Sequence, residues 1–300
     1  MRPRLALAVG LLALAACTQG RRAPRGDGAP ATARCSFDDA FPTLGVAWAG
    51  DRAPLARRGP ASHPRSRLVV DARGSGAVTE YLVDTGTSCT FLSALDPGAR
   101  AATDAGARLR LMANEGATAF DGRDARLPAV DLGGLAASDV PVFVVDRPHS
   151  LHRPANVLGM AWMASLALDH DAASDAWTLR RGGPTPAGPG VALAGPGFPV
   201  VTVVDDAGRG VHALVDTGAP TSLYGRAASP GRYRLLDASG ATLLTVNARD
   251  PAPWVDLAPR GLPIAVWIGL DDLARASFTL DFPAGRWTFR PVTAAAAAPR

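Results

Sequence analysis

The tripeptide Asp-Thr-Gly occurs twice, as Asp84-Thr85-Gly86 and Asp216-Thr217-Gly218, each time closing an apolar, strand-like run. The two copies constrain the fold because their surroundings repeat with them. Leu68-Val69-Val70, a turn at Gly74-Ser75-Gly76 and Tyr81-Leu82-Val83 lead into Asp84. Residues 200–204, a turn at Asp206-Ala207-Gly208 and Ala213-Leu214-Val215 lead into Asp216. Arg108-Leu109-Arg110-Leu111 turns at Asn114-Glu115-Gly116; residues 232–236 turn at Ser239-Gly240. Val157-Leu158-Gly159 is answered by Trp267-Ile268-Gly269, and residues 166–169 leading to Trp177 by residues 278–281 leading to Trp287. β-branched residues, alternation and glycine turns read as hairpins. Helical periodicity is confined to short turns after Gly159 and Gly269. The reading is all-β: two similar barrel-like lobes related by a pseudo-two-fold axis, with a ligand-sized cleft between them.

The flanks divide the rest of the chain. Arg2 and Arg4 precede an apolar run from Leu5 to Ala16, too short to span a bilayer and suited to a secretory signal. It ends in Leu14-Ala15-Ala16-Cys17, which resembles a bacterial lipobox with Cys17 as the lipidated residue; the alternative is an ordinary signal peptide. Thr18 in place of Asp implies, by the same resemblance, an outer-membrane destination facing the periplasm. Residues 1–17 are therefore read as a signal, 18–40 as a tether, 41–181 as the first lobe and 182–190 as a Pro/Gly linker. Residues 191–292 form the second lobe and 293–300 an Ala-rich frayed tail.

Hydrophobic content of 47% allows a real core. The net charge of +4 does not argue for nucleic acid: every one of the 31 basic residues is Arg, several precede the lobes, and no basic stripe alternates with aromatics. The five histidines are scattered, and neither Cys-x-x-Cys nor His-Glu-x-x-His occurs, so no metal and no cofactor are expected. His149, His152 and His170 read as exposed loop residues, and Trp177 and Trp287 as packing anchors. In an oxidising compartment Cys35 and Cys89 are either a disulfide or two unpaired thiols.

Two facing carboxylates can share a proton, the charged one drawing a proton from water while the neutral one protonates a carbonyl. The segments Leu82-Val83-Asp84-Thr85-Gly86-Thr87-Ser88-Cys89-Thr90 and Leu214-Val215-Asp216-Thr217-Gly218-Ala219-Pro220-Thr221-Ser222 carry this chemistry. Each is followed much later by an apolar pair and Gly. Over residues 65–291 the chain resembles the aspartic proteases, with lobes as short as in retropepsin-like members but fused in one chain as in pepsin-like ones.

The resemblance implies a bilobal acid-protease fold and a monomeric endopeptidase with Asp84 and Asp216 as its catalytic dyad. It implies that Gly86 and Gly218 permit the tight turns and that Thr85 and Thr217 lock the loops together. Thr87 would donate to the outer oxygen of Asp84. Ala219 cannot donate, which makes Asp216 the more readily protonated acid. The tips at Asn114-Glu115-Gly116 and Ser239-Gly240 are flap candidates over an extended polypeptide substrate. Two departures concern packing: Met160-Ala161-Trp162 lacks the usual acid and Leu270-Asp271-Asp272 lacks the usual aromatic. Pro220 is unusual after the second loop and would perturb that loop, and the first flap candidate has no Tyr where pepsin-like enzymes place one. Asp271-Asp272 reads as a helix N-terminal acid pair. The other function considered is a non-catalytic envelope lipoprotein that binds extended peptides or partner proteins.

Overall fold

The computed structural model describes residues 46–59, 66–74, 77–113, 118–146, 156–183, 187–194, 198–252 and 262–290, with backbone only at 106–113 and 118–120. The signal with Cys17, the tether, Cys35, the tip at Asn114-Glu115-Gly116, His149, His152 and the tail lie outside the described residues.

Each lobe begins with the hairpin its sequence predicts. Arg67–Gly74 pairs antiparallel with Ala77–Val83, Val69 facing Leu82. Val200–Asp205 pairs with Gly210–Val215, Val200 facing Leu214. The second hairpin turns where Asp205 accepts the amides of Ala207 and Arg209 and Gly208 takes a φ of 79°. A later strand then inserts parallel to the strand that ends in Asp-Thr-Gly. Asn156–Leu158 runs beside Ala77–Val83, and Ile264–Ile268 beside Gly210–Val215. Both inserted strands are buried along their whole length, as uninterrupted apolar runs of parallel strands are. One-turn helices follow, Met160–Met163 and Leu270–Leu273.

The lobes differ in their outer hairpins. Gly231–Leu236 and Thr242–Ala248 make a simple pair in the second lobe. In the first, Thr103–Ala113 and Thr118–Asp131 are joined by a third strand, Leu135–Val145. Its counterpart in the second lobe, Asp250–Pro251, is only two residues long and runs parallel to Leu223–Tyr224 as Leu135–Val145 runs parallel to Phe91–Ser93.

The closing strand pairs do more than cap each lobe. Leu166–Asp171 of the first lobe pairs antiparallel with Ser277–Asp281 of the second, Leu168 facing Leu280. On one side lie Ala176–Arg181 and Arg52–Arg58; on the other lie Arg286–Arg290 and Gly190–Ala192. Three strands from each half thus form a six-stranded seam. Trp177, Phe278 and Trp287 are buried on it, their rings meeting edge to face at 5.8 and 5.6 Å. Both tryptophans therefore anchor packing as expected. His170 does not sit in an exposed loop. It extends the strand Leu166–Asp171, is fully buried, and stacks on Trp177 at 4.0 Å with Nδ1 2.7 Å from the Ala276 carbonyl. The ring's apolar faces suit the tryptophan-lined seam, and burial lowers its pKa, favouring the neutral form.

Candidate active site

Both Asp-Thr-Gly turns leave their strands in the same way. The Asp84 amide donates to the Leu158 carbonyl and the Asp216 amide to that of Ile268, each at 3.0 Å. The chain then reverses so that Gly86 N–H donates to Asp84 Oδ1 at 2.8 Å and Gly218 N–H to Asp216 Oδ1 at 2.9 Å. Ala219 N–H adds a second donor to Asp216 Oδ1 at 3.2 Å.

The two loops then lock across the lobes. Thr85 Oγ1 donates to the Val215 carbonyl (2.6 Å) and accepts the Thr217 amide (3.0 Å). Thr217 Oγ1 donates to the Val83 carbonyl (2.8 Å) and accepts the Thr85 amide (3.1 Å). Each hydroxyl is a donor and an acceptor, so four buried groups of one loop and its mirror are satisfied with no charge spent. The glycines bring the loops face to face. A Cβ on Gly86 would lie 2.7 Å from Asp216 Cγ, and one on Gly218 would lie 2.4 Å from Asp84 Cγ. Only hydrogen fits at either position.

This brings Asp84 and Asp216 together, 132 residues apart in the chain and both fully buried. The Oδ2 atom of each has no donor aimed at it. Burial first, and then the charge of Asp216, holds the Asp84 carboxyl well above the usual range. Burial raises Asp216 to about 6, opposed by the contact with Asp84 and by the Gly218 and Ala219 amides. The pair keeps a proton at pH values where solvated carboxyls have lost theirs, and that proton belongs to both.

One supporting bond differs from expectation. The Thr87 hydroxyl is buried without a hydrogen-bond partner, so it gives Asp84 nothing. Its methyl is turned toward Gly159, 2.9 Å from where a Cβ there would be. The expected asymmetry, with Asp216 the more readily protonated acid, loses its premise: both acids are held by backbone amides.

The loops are also fastened from behind. Met160 and Ala161 amides donate to Thr87 and Ser88 carbonyls; Leu270 and Asp271 amides donate to those of Ala219 and Pro220. Pro220 thus leaves this pattern intact, since the position supplies a carbonyl. The Gly159 amide is taken by Thr90 Oγ1 (3.2 Å) and the Gly269 amide by Ser222 Oγ (2.9 Å). Cys89, between the first loop and Thr90, is disulfide-bonded to a partner outside the described residues. Ser239 and Gly240 form an exposed tip in which Asp237 accepts the Ser239 and Ala241 amides. A cavity of about 490 Å³ lies away from the acids, between the seam and the second lobe, lined by Arg57, Asp175, Ser222, Asn247 and Asp271 among others.

Two features were missed in the sequence. Asp271 and Asp272 do occupy the first turn of their helix, but Asp272 is fully buried and accepts hydrogen bonds from Ser222 and Asn247. Asp271 accepts the Ser222 amide, and burial with the neighbouring Asp272 charge raises it to about 6. Arg67 opens the first strand of its lobe; burial lowers its pKa, offset in part by the field of Asp84. Its only sequence signal was an Arg at the start of an apolar strand.

Residues 70–162 match a family model described as aspartyl protease, a span that contains the first Asp-Thr-Gly but not the second. No protein of curated function matches the chain in sequence. Among solved structures the chain is similar to the aspartic proteinase from Irpex lacteus, at 16% identity and a TM-score of 0.52, covering 81% of this chain and 99% of that one. The fold is the bilobal, all-β fold of the aspartic proteinases.

Proposed function

We propose that the chain is an aspartic endopeptidase in which Asp84 and Asp216 act as the catalytic dyad on an extended polypeptide. The observation that carries this reading is the mutual contact of the two buried carboxyl groups, each pressed on the glycine of the opposite loop. In this reading the ionised acid takes a proton from a water as the water's oxygen bonds to the scissile carbonyl carbon. The protonated acid gives its proton to the carbonyl oxygen, leaving a neutral tetrahedral diol. The acid that took the water's proton then gives it to the amide nitrogen while the other, now ionised, takes a hydroxyl proton from the diol, and the C–N bond breaks to leave a carboxylic acid and an amine. Hydrogen bonds fix the Thr85 and Thr217 hydroxyls, so neither competes for these protons.

The same reading makes the hairpin tips at residues 114–116 and 239–240 covers for the substrate, which would lie beneath them as an added strand. It takes Cys17 as a lipid anchor holding a monomer at the periplasmic face of an outer membrane. The test is digestion of a peptide library across pH by wild type, Asp84→Asn and Asp216→Asn, together with binding of a statine-type inhibitor. Either substitution is expected to lower cleavage at least about a hundredfold. Undiminished cleavage by both variants rules the dyad out. Peptide binding without turnover at any pH returns the chain to the reading of a non-catalytic envelope lipoprotein.

A further inference from the structure

Resting on the reading of Asp216 as one of the paired acids, we propose that Asp272 is a positioning residue. It ties the second Asp loop to the hairpin that ends at Ser239-Gly240, where the first lobe has Trp162 at the corresponding position.

The Asp272 carboxylate has no solvent exposure. Its Oδ2 accepts the Ser222 hydroxyl and the Asn247 amide, both at 2.7 Å. Its Oδ1 accepts Asn247 Nδ2 at 3.1 Å and forms an ion pair with the Arg275 guanidinium, Nη1 lying 3.0 Å away. Ser222 Oγ in turn accepts the Gly269 amide at 2.9 Å, and the neighbouring Ile268 carbonyl accepts the amide of Asp216. A continuous chain of hydrogen bonds therefore runs from the strand Thr242–Ala248, through Asp272 and Ser222, to the turn that holds Asp216. Asn247 lies on the hairpin leg that descends from Ser239-Gly240.

A charge without water holds its place only if its donors are fixed, and the one cation here, Arg275, is about half exposed. The carboxylate therefore holds its three donors in one arrangement, which an apolar filler would not do. In the first lobe Thr90 takes the Gly159 amide as Ser222 does that of Gly269. Trp162, three residues past Gly159 as Asp272 is past Gly269, instead packs on Trp48 and Tyr81 and sends its Nε1–H to Pro141.

The test uses Ser222→Ala, which cuts the relay at the hydroxyl, Ser222→Thr, which keeps it, and Asn247→Ala, which acts only from the hairpin side. Cleavage kinetics and hydrogen exchange are measured on the same preparations. Ser222→Ala is expected to lower kcat about tenfold while KM stays within about twofold, and Ser222→Thr to restore kcat. In both Ser222→Ala and Asn247→Ala, amides of residues 216–222 are expected to exchange about tenfold faster, with those of Leu166–Asp171 and Ser277–Asp281 unchanged. Unchanged exchange at 216–222 in both variants overturns the coupling whether or not the protein cleaves peptides. A kcat unmoved by Ser222→Ala in an active enzyme overturns the positioning role. A wild type that cleaves nothing defeats the dyad reading alone, and exchange still decides the coupling.

Discussion

The two lobes build the same Asp-Thr-Gly turn on different ground. Beneath the first, Trp162 fills the space with apolar surface, its ring centroid 6.0 Å from that of Trp48 and 5.6 Å from that of Tyr81. Beneath the second, the equivalent residue is the buried Asp272 with three donors and the Arg275 guanidinium around it. Above that level the lobes agree: a hydroxyl on the glycine amide, two main-chain bonds from the helical turn, and a threonine reaching across. The turn therefore depends on its main-chain partners and one hydroxyl. What lies below needs only to be complete, whether by close packing or by paired polar groups.

The comparison breaks most readily at Trp162. Trp162→Ala is expected to destabilise the protein by about 3–5 kcal/mol, measured by denaturant unfolding, because a fully buried indole leaves a cavity. A loss under about 1 kcal/mol would mean that packing is not the first lobe's foundation. The next test concerns the part the lobes share. Thr85→Val and Thr217→Val each leave a buried carbonyl and amide of the opposite loop unpaired, at a cost of about 2–4 kcal/mol. The two losses should agree within about 1 kcal/mol; a larger gap would show that the pseudo-symmetry stops short of the loops.

A third test is the pH dependence of stability. Asp84, Asp216 and Asp271 have folded pKa values raised above the unfolded value of about 4, so the native state binds their protons more tightly. Unfolding then releases protons, and stability falls as pH rises from about 4 through about 6. Asp171, Asp205 and Asp237 are lowered by local hydrogen bonds, and their contribution is lost below about 4. Thermal unfolding should therefore show greatest resistance in mildly acidic buffer, and Asp271→Asn should weaken the decline toward neutrality. A melting temperature that climbs steadily from pH 5 to 8 would contradict this.

Local pattern made much of the fold legible. The hairpins before Asp84 and Asp216, the parallel insertions ending at Leu158 and Ile268 and the short helices after Gly159 and Gly269 all follow from alternation, β-branching and glycine placement. Pairing between the halves was hidden, because Leu166–Asp171 and Ser277–Asp281 read equally well as ends of separate lobes. His170 was misjudged for the same reason: its burial comes from Trp177 and Phe278, partners supplied by the seam. At the site, residue identities indicated the loops but not the rotamers. Nothing in Thr87 itself says that its hydroxyl faces no partner, and nothing in Asp272 says that Asn247, on another element, will enclose it.

The meeting of Leu168 with Leu280 has a consequence for assembly. Strand pairing is quantised: the smallest slip that keeps the same side chains inward is two residues, about 7 Å. The reach between the acids is only a hydrogen bond. A misaligned seam would therefore not weaken their encounter gradually but abolish it, so each folded molecule is either fully equipped or blank.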